Sequence, residues 1–403
     1  MTTSASPLKG CAAERVAALS SENPFRSSQR KPRLLIVGAG MMGREHLRVS
    51  QLLGWADLQG IVDPDEGSLE WACSDWRLLT DAPLTIYRDL NEACLSKAVD
   101  AIVIATPNHT HRDILRVAAA SHKPILLEKP MATTLSDAME IVNLARDYPA
   151  VMQLGMQYRF KAQYVDALET VAAQRALGQV KTVAMSEYRP PFLDKVDQWN
   201  KFNRNSGGTL IEKCCHYFDL INVFAQSRPK RVYASGGRAV NFLDFEWKGE
   251  LSDIDDHAMV IIDYDNGVRA SFTLNMFCKE LYEELVVVGE RGRLVASEQA
   301  SFQPDTPSQA ELLVEVPEHP AYRGVPVGYP EWIETSGHYG ATFFEHIAFN
   351  LQLVGQSVDA ATPEQALWAL IVASAAQHSI QIEREVHVDA FCQEHGIGAF
   401  FDA

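Results

Sequence analysis

The sequence predicts a two-domain protein: a doubly wound, parallel-sheet α/β domain followed by an α+β domain with a large, mostly antiparallel open sheet. Three observations carry that expectation. The chain has 403 residues, more than one hydrophobic core usually serves. Between residues 33 and 155, short apolar runs alternate with helical stretches, the pattern of βαβ units covered on both faces. From about residue 180 the apolar residues alternate singly, as in strands with one buried face.

Taken in order, residues 1–32 are rich in Ser, Ala and basic residues and lack periodicity, so they are expected to form a flexible N-terminal extension. Residues 33–155 follow as the first domain. Arg33–Gly38 is an apolar run of strand length, and Leu47, Val49, Leu52 and Leu53 mark a helix after Gly43. A second strand, Leu58–Val62, ends at Asp63. A third, Val99–Ala105, ends at Thr106 and Pro107, and a fourth, Ile125–Leu127, runs into Glu128.

The second domain is expected over residues 156–385. Its alternating runs are Thr182–Tyr188, Val232–Gly236, Ala258–Tyr264, Val268–Leu274 and Glu284–Val288. Asp265-Asn266-Gly267 between two of them is a hairpin signal, because Asn and Gly tolerate positive φ. Residues 301–340, rich in Pro and polar residues, read as a long loop. Helices follow at Phe343–Val354 and Pro363–Ile382, with Pro363 in a first turn, and residues 386–403 read as a C-terminal tail.

Composition limits the partners. With 47% hydrophobic and 22% charged residues the chain is an ordinary globular one. Its 52 acidic against 36 basic residues give a net charge of -16, which repels phosphate backbones and anionic headgroups, so neither nucleic acid nor a membrane is an expected partner. No apolar run reaches the ~20 residues of a membrane span and no secretory signal opens the chain, which points to a cytoplasmic protein. The seven cysteines form an odd set without zinc-ligand spacing. They fit a reducing compartment and no metal site, with Cys214 and Cys215 acting as small apolar residues in a packed helix.

Three constellations carry chemistry. Gly38-Ala39-Gly40-Met41-Met42-Gly43 is a GxGxxG run between a strand and a helix. The first glycine permits the turn, the second lets the backbone approach a pyrophosphate, and the third allows close strand–helix packing. Asp63, 20 residues after Gly43, stands where a carboxylate binds adenosine ribose hydroxyls; it would repel a 2′-phosphate, which favours NAD over NADP. The plainer reading is that Asp63 begins a turn before Pro64.

The second constellation is Thr106-Pro107-Asn108-His109-Thr110-His111 together with Glu128-Lys129-Pro130. Both segments close parallel strands, where an open α/β sheet binds its ligand. A lysine there can bond a substrate hydroxyl and serve in proton transfer; the plainer reading of Glu128 is a surface ion pair. The third constellation is Ser206 to Asp219. Read as one helix after a Gly-Gly turn, its Glu212, His216 and Asp219 share a face, so that a carboxylate lies one turn before a histidine suited to acid-base work.

Together and in this order, these segments resemble the Gfo/Idh/MocA oxidoreductases, which include glucose-fructose oxidoreductase and inositol dehydrogenases. The resemblance runs from about Arg33 to about Ile382. It implies a Rossmann domain, an open sheet that often forms a subunit interface in a homodimer or homotetramer, and a nicotinamide cofactor. It also implies cofactor contacts at Thr106, Pro107, Asn108, His111, Glu128 and Gln157 besides the glycine turn and Asp63. Lys129 matches the family lysine that contacts nicotinamide ribose and substrate, and His216 the usual catalytic histidine. Glu212 stands where aspartate is common, one methylene longer, and Lys213 beside it is not a family-wide feature.

Tyr158, Arg159, Tyr188, Trp199 and Arg204 fall in segments similar to the family's substrate-side wall, since aromatic faces and guanidinium groups suit sugar rings. His338 and Tyr339 are further candidates by analogy. The activity implied is NAD-dependent hydride transfer at a secondary alcohol of a sugar, cyclitol or related polyol. Two other readings stay open: a glycoside-processing enzyme that oxidises transiently and eliminates, and a catalytically silent NAD-binding regulatory protein.

Overall fold

The structure is a computed structural model that describes residues 11–19, 23–25, 30–173, 175–301, 308–318 and 324–398. Its contacts divide the chain into two units: Met1–Ala132 with Glu140–Lys161 and Tyr329–Glu364, and Thr133–Met139 with Ala162–Gly328 and Gln365–Ala403.

The first unit holds six strands, β1 (Arg33–Val37), β2 (Asp57–Val62), β3 (Thr85–Tyr87), β4 (Ala101–Ile104), β5 (Ile125–Glu128) and β6 (Met152–Gly155). All pair in parallel, in the order β3-β2-β1-β4-β5-β6. The order reverses between β1 and β4, the switch point at which such sheets open a crevice beyond their carboxyl ends. Leu34, Leu35, Ile36 and the whole of β4 and β5 are buried, which is why these strands read as unbroken apolar runs. The sequence pattern marks four of the six strands; β3 and β6 are not unbroken apolar runs, since Thr85 opens β3 and Gln153 interrupts β6.

Helices α1 (Ala12–Ala18), α2 (Met41–Leu53), α3 (Glu66–Leu79), α4 (Leu90–Leu95), α5 (His111–Ala119) and α6 (Leu135–Arg146) accompany these strands in the chain. The α1 helix departs from the flexible extension expected for residues 1–32, since Ala12 and Ala18 are buried; residues 1–10, 20–22 and 26–29 lie outside the described ones.

In the second unit, α7 (Ala162–Leu168), α8 (Asn203–Ser206), α9 (Thr209–Glu212) and α10 (Cys215–Ala225) accompany the strands β7 (Val180–Tyr188), β8 (Pro229–Gly237), β9 (Glu246–Trp247), β10 (Glu250–Leu251), β11 (His257–Tyr264), β12 (Arg269–Asn275), β13 (Leu281–Gly289), β14 (Gly292–Ala300), β15 (Gln309–Glu315) and β16 (Val325–Val327). Alternate residues of β11 and β13 are buried, as the single-residue periodicity requires. The hairpin expected at Asp265–Gly267 joins β11 to β12, with the Gly267 N–H donating to Tyr264 O at 3.0 Å.

The loop expected over residues 301–340 is corrected by β15 and β16. β15 pairs with β14 through its Leu312–Val314 run, and β16 pairs with β15, so edge pairing overrides a Pro-rich context. Residues 329–364, expected in the second domain, cluster with the first unit. They carry α11 (Glu331–Glu334) and α12 (Ala341–Leu353). Tyr329 anchors them: its ring stacks on Phe344 at 4.4 Å and its hydroxyl donates to Phe160 O at 2.7 Å.

The chain then forms α13 (Pro363–Ile382), β17 (Val386–His387) and α14 (Val388–Glu394). β17 pairs with β8 and closes a nine-stranded sheet of order β16-β15-β14-β13-β7-β12-β11-β8-β17, in which the β7–β12 pair is parallel. Residues 386–394 are therefore part of the fold and not a tail; Val388 and Phe391 are buried. No helix among the described residues is long and apolar enough to cross a membrane.

Candidate functional site

The glycine turn of the first unit leads from β1 into α2. A Cβ at Gly38 would meet Ala105 O and the Thr106 side chain, and one at Gly43 would overlap Gly38 O, so both positions demand glycine for close approach. At Gly40 the surroundings are different: nothing lies within 4 Å of an added Cβ. Gly40 also caps α2 without a side-chain hydrogen bond, leaving the first N–H groups, those near Met41 and Met42, for an anion. Met41 is exposed and Met42 half-buried.

Asp63, at the end of β2, accepts from the Ala39 N–H at 2.6 Å and from the Asp65 N–H at 2.8 Å. Its turn-forming role is therefore real. Ionised, it has about four acceptor sites, so capacity remains for a ribose hydroxyl.

The two strand-end loops are tied together by His111. Its Nδ1 lies 2.8 Å from Pro130 O and its Nε2 3.0 Å from Thr106 O, so the turn at Thr106 and Pro107 and the one at Lys129 and Pro130 share a buried ring. Thr110 Oγ1 donates to Thr106 Oγ1 at 2.8 Å, and Asn108 is buried. Gln157 is fully buried, and neither atom of its amide finds a hydrogen-bond partner among the described residues, an orphan of the kind a ligand satisfies. The open cradle at Gly40, the uncapped helix and the orphaned amide all fit a dinucleotide.

Lys129 is half-buried, and its N–H donates to Glu128 Oε2 at 3.1 Å. Glu128 is not the surface ion-pair residue of the plainer reading. It is buried, with Oε1 2.9 Å from His46 Nε2, while His46 Nδ1 lies 2.9 Å from His346 Nε2. Burial pushes the Glu128 carboxyl up, but the His46 hydrogen bond and the charges of His46 and Lys129 outweigh it and hold it below the ordinary range. Tyr158 and Arg159 are buried, and Lys161 Nζ sits 4.6 Å from the Tyr158 ring centre and 5.2 Å from that of Tyr339. His338 Nδ1 pairs with Glu45 Oε1 at 2.7 Å.

His216 belongs to the second unit. The Gly-Gly turn before it has positive φ at both Gly207 and Gly208, and the Gln377 amide donates to Gly207 O at 3.0 Å. The single helix expected from Thr209 onward is broken: α9 ends at Glu212, and α10 starts at Cys215. The break spans Lys213 and Cys214, whose backbone stays in the right-handed helical region; beside it Glu212 Oε1 accepts from Lys195 Nζ at 2.9 Å and Lys213 Nζ pairs with Glu187 Oε1 at 3.1 Å. Glu212, His216 and Asp219 are all buried. Cys214 and Cys215 are buried too, and burial pushes the Cys214 thiol well up, as an inert packing residue requires.

Trp199 joins this group through a residue the sequence did not single out: Lys195 Nζ lies 4.3 Å from its ring centre. Tyr188 does not join it. Glu187 faces inward on β7, so Tyr188 alternates onto the opposite face, beside Tyr282 at 6.3 Å. Arg204 is exposed and pairs with Glu250.

Two family models match the chain: the NAD-binding Rossmann fold of an oxidoreductase family over residues 33–156 and that family's C-terminal alpha/beta domain over residues 172–388. The chain belongs to the Gfo/Idh/MocA oxidoreductase family. Among the relatives of this Gfo/Idh/MocA chain, the uncharacterized oxidoreductase YrbE of Bacillus subtilis is 26% identical over 65% of this chain and 72% of its own length. Inositol 2-dehydrogenase of Corynebacterium glutamicum is 26% identical over 60% of this chain and 67% of its own. Among solved structures, scyllo-inositol dehydrogenase from Lactobacillus casei, with bound NAD(H) and scyllo-inositol, superposes with a TM-score of 0.67 at 20% identity, covering 89% of this chain and 99% of that one. That likeness bears on fold.

Proposed function

We propose that the protein is an NAD-dependent dehydrogenase that transfers hydride between nicotinamide and a secondary alcohol of a cyclitol, sugar or related polyol. The observation that carries this reading is the glycine turn: Gly38 and Gly43 are closely packed, whereas Gly40 faces open space at an uncapped helix N-terminus, as pyrophosphate binding requires. The Asp63 carboxylate at the end of β2 supports NAD over NADP, because it would repel a 2′-phosphate. The inositol 2-dehydrogenases among the relatives support a cyclitol.

Bound nicotinamide supplies hydride acceptance and return. The chain supplies the proton chemistry. In this reading the Lys129 ammonium holds and polarises the substrate oxygen, and the His216 imidazole takes the hydroxyl proton. Glu212, itself fixed by Lys195, positions the substrate or the imidazole. The exposed Tyr233, Met259 and Ile261 on β8 and β11 support assembly of copies through this sheet.

A panel of cyclitols, aldoses and glycosides with NAD tests the reading by NADH absorbance. Net NADH from at least one polyol is expected, and its absence with every member overturns it. His216→Ala is expected to lose roughly 10²- to 10⁴-fold in kcat while NAD affinity is kept; unchanged turnover removes His216 from the chemistry.

A further inference from the structure

We propose that His46, Glu128 and Glu345 form a binding site for one divalent cation of the zinc class, buried in the first unit and distinct from the pyrophosphate cradle. One ligand atom from each residue lies within 4.8 Å of the others, and all three residues are buried. They come from α2, the end of β5 and α12, so a cation there would cross-link three segments that are far apart in the chain. The imidazole decides the metal class. Magnesium and calcium prefer all-oxygen shells, whereas zinc takes one histidine and two carboxylates at bond lengths of about 2 Å.

Two further observations point to a ligand. Glu345 is wholly buried, and neither of its carboxylate oxygens has a hydrogen-bond partner among the described residues. An ionised carboxylate left in that state is costly, and a protonated one still leaves polar atoms unmatched.

The second observation is the His46–His346 contact of 2.9 Å. With its proton on Nδ1 and donated to His346 Nε2, His46 presents an unprotonated Nε2, the outer-shell hydrogen bond that orients most metal-bound histidines. Cation binding would replace the His46–Glu128 hydrogen bond by two metal bonds, move the His46 proton to Nδ1 with the facing His346 proton passing from its Nε2 to its Nδ1, and release any proton held by Glu345 to solvent.

The test uses the full chain, purified without a histidine tag and stripped with a chelator. Zinc alone is then titrated calorimetrically, and metal content is measured by mass spectrometry. The expected result is one zinc per chain with Kd on the order of a micromolar or tighter, weakened at least about tenfold in Glu345→Gln. Cobalt in the wild-type protein is expected to give ligand-field bands without a thiolate charge-transfer band, because no cysteine belongs to the cluster. Substoichiometric zinc, equal affinity in Glu345→Gln or a thiolate band overturns the proposal. The cobalt spectrum decides even where the variant does not fold, and a proton shared within the cluster is then the remaining account of Glu345.

Discussion

The two units bury carboxylates in opposite ways. In the second unit, Glu187, Glu283 and Glu298 stand side by side on β7, β13 and β14, with Glu283 in register with both neighbours, and all three are buried. Like charges so placed repel, yet each faces a cation or a donor, although Glu187 is met by charge alone and accepts no hydrogen bond among the described residues. Glu187 pairs with Lys213 at 3.1 Å and Arg189 at 3.6 Å; Glu283 accepts from the Tyr217 hydroxyl at 2.8 Å; Glu283 and Glu298 both accept from the Gln163 amide, at 3.3 and 3.2 Å. In the first unit Glu45 is matched by His338 and Thr342 and Glu128 by His46, while Glu345 is matched by neither donor nor cation among the described residues. The difference teaches that a buried acid is stable where its own sheet and helix supply the counter-groups, and that elsewhere it needs a proton or an ion.

The comparison can be broken most directly at Lys213. Lys213→Ala leaves Glu187 with its longer Arg189 contact and is expected to cost about 3–5 kcal/mol in a denaturant melt; a cost under about 1 kcal/mol would mean that the row does not depend on its cations. Tyr217→Phe removes one donor from Glu283, and a loss of about 1–3 kcal/mol is expected by the same measurement.

Asp256 sharpens the point through pH. Burial pushes its carboxyl up, but the N–H groups of Asn241, Val240 and Ala239 and the His257 ring outweigh that and hold it below 3.8. The folded state therefore binds this proton less readily than the unfolded chain, so the stabilisation is present above about pH 4 and is lost as pH falls. Asp256→Asn is expected to lower the melting temperature at neutral pH and to flatten its acid limb; an unchanged limb would exclude Asp256 as its source. The smallest effect belongs to Glu345→Gln in metal-free protein. It removes no hydrogen bond, so stability at neutral pH is expected to stay within about 1 kcal/mol of wild type or to rise.

Much of the fold was legible because its causes are local. The buried strands β1, β4 and β5 are written as apolar runs, the hairpin at Asp265–Gly267 as a turn, and α13 begins at the Pro363 that marks it. The cofactor turn was equally legible, since Gly38, Gly40 and Gly43 act within six residues. The surroundings of Glu212 and His216 were legible only in part. His216 and Glu212 stand out, but their partners do not: Lys195 on Glu212 and Glu187 on Lys213 are contacts that no spacing rule connects to this segment. The return of residues 329–364 to the first unit was hidden for the same reason, since it is made by long-range contacts such as Tyr329 with Phe160, Thr342 with Glu45 and His346 with His46.

The sequence by itself determined the order of elements, the parallel and antiparallel halves and the glycine turn with its acidic partner, because periodicity and turn chemistry act over a few residues. Only the tertiary structure decided that His46, Glu128, Glu345 and His346 meet, that Tyr188 turns away from Glu187, and that residues 386–387 extend the sheet. Burial and charge pairing are properties of neighbours in space, and here those neighbours lie up to 300 residues apart in the chain.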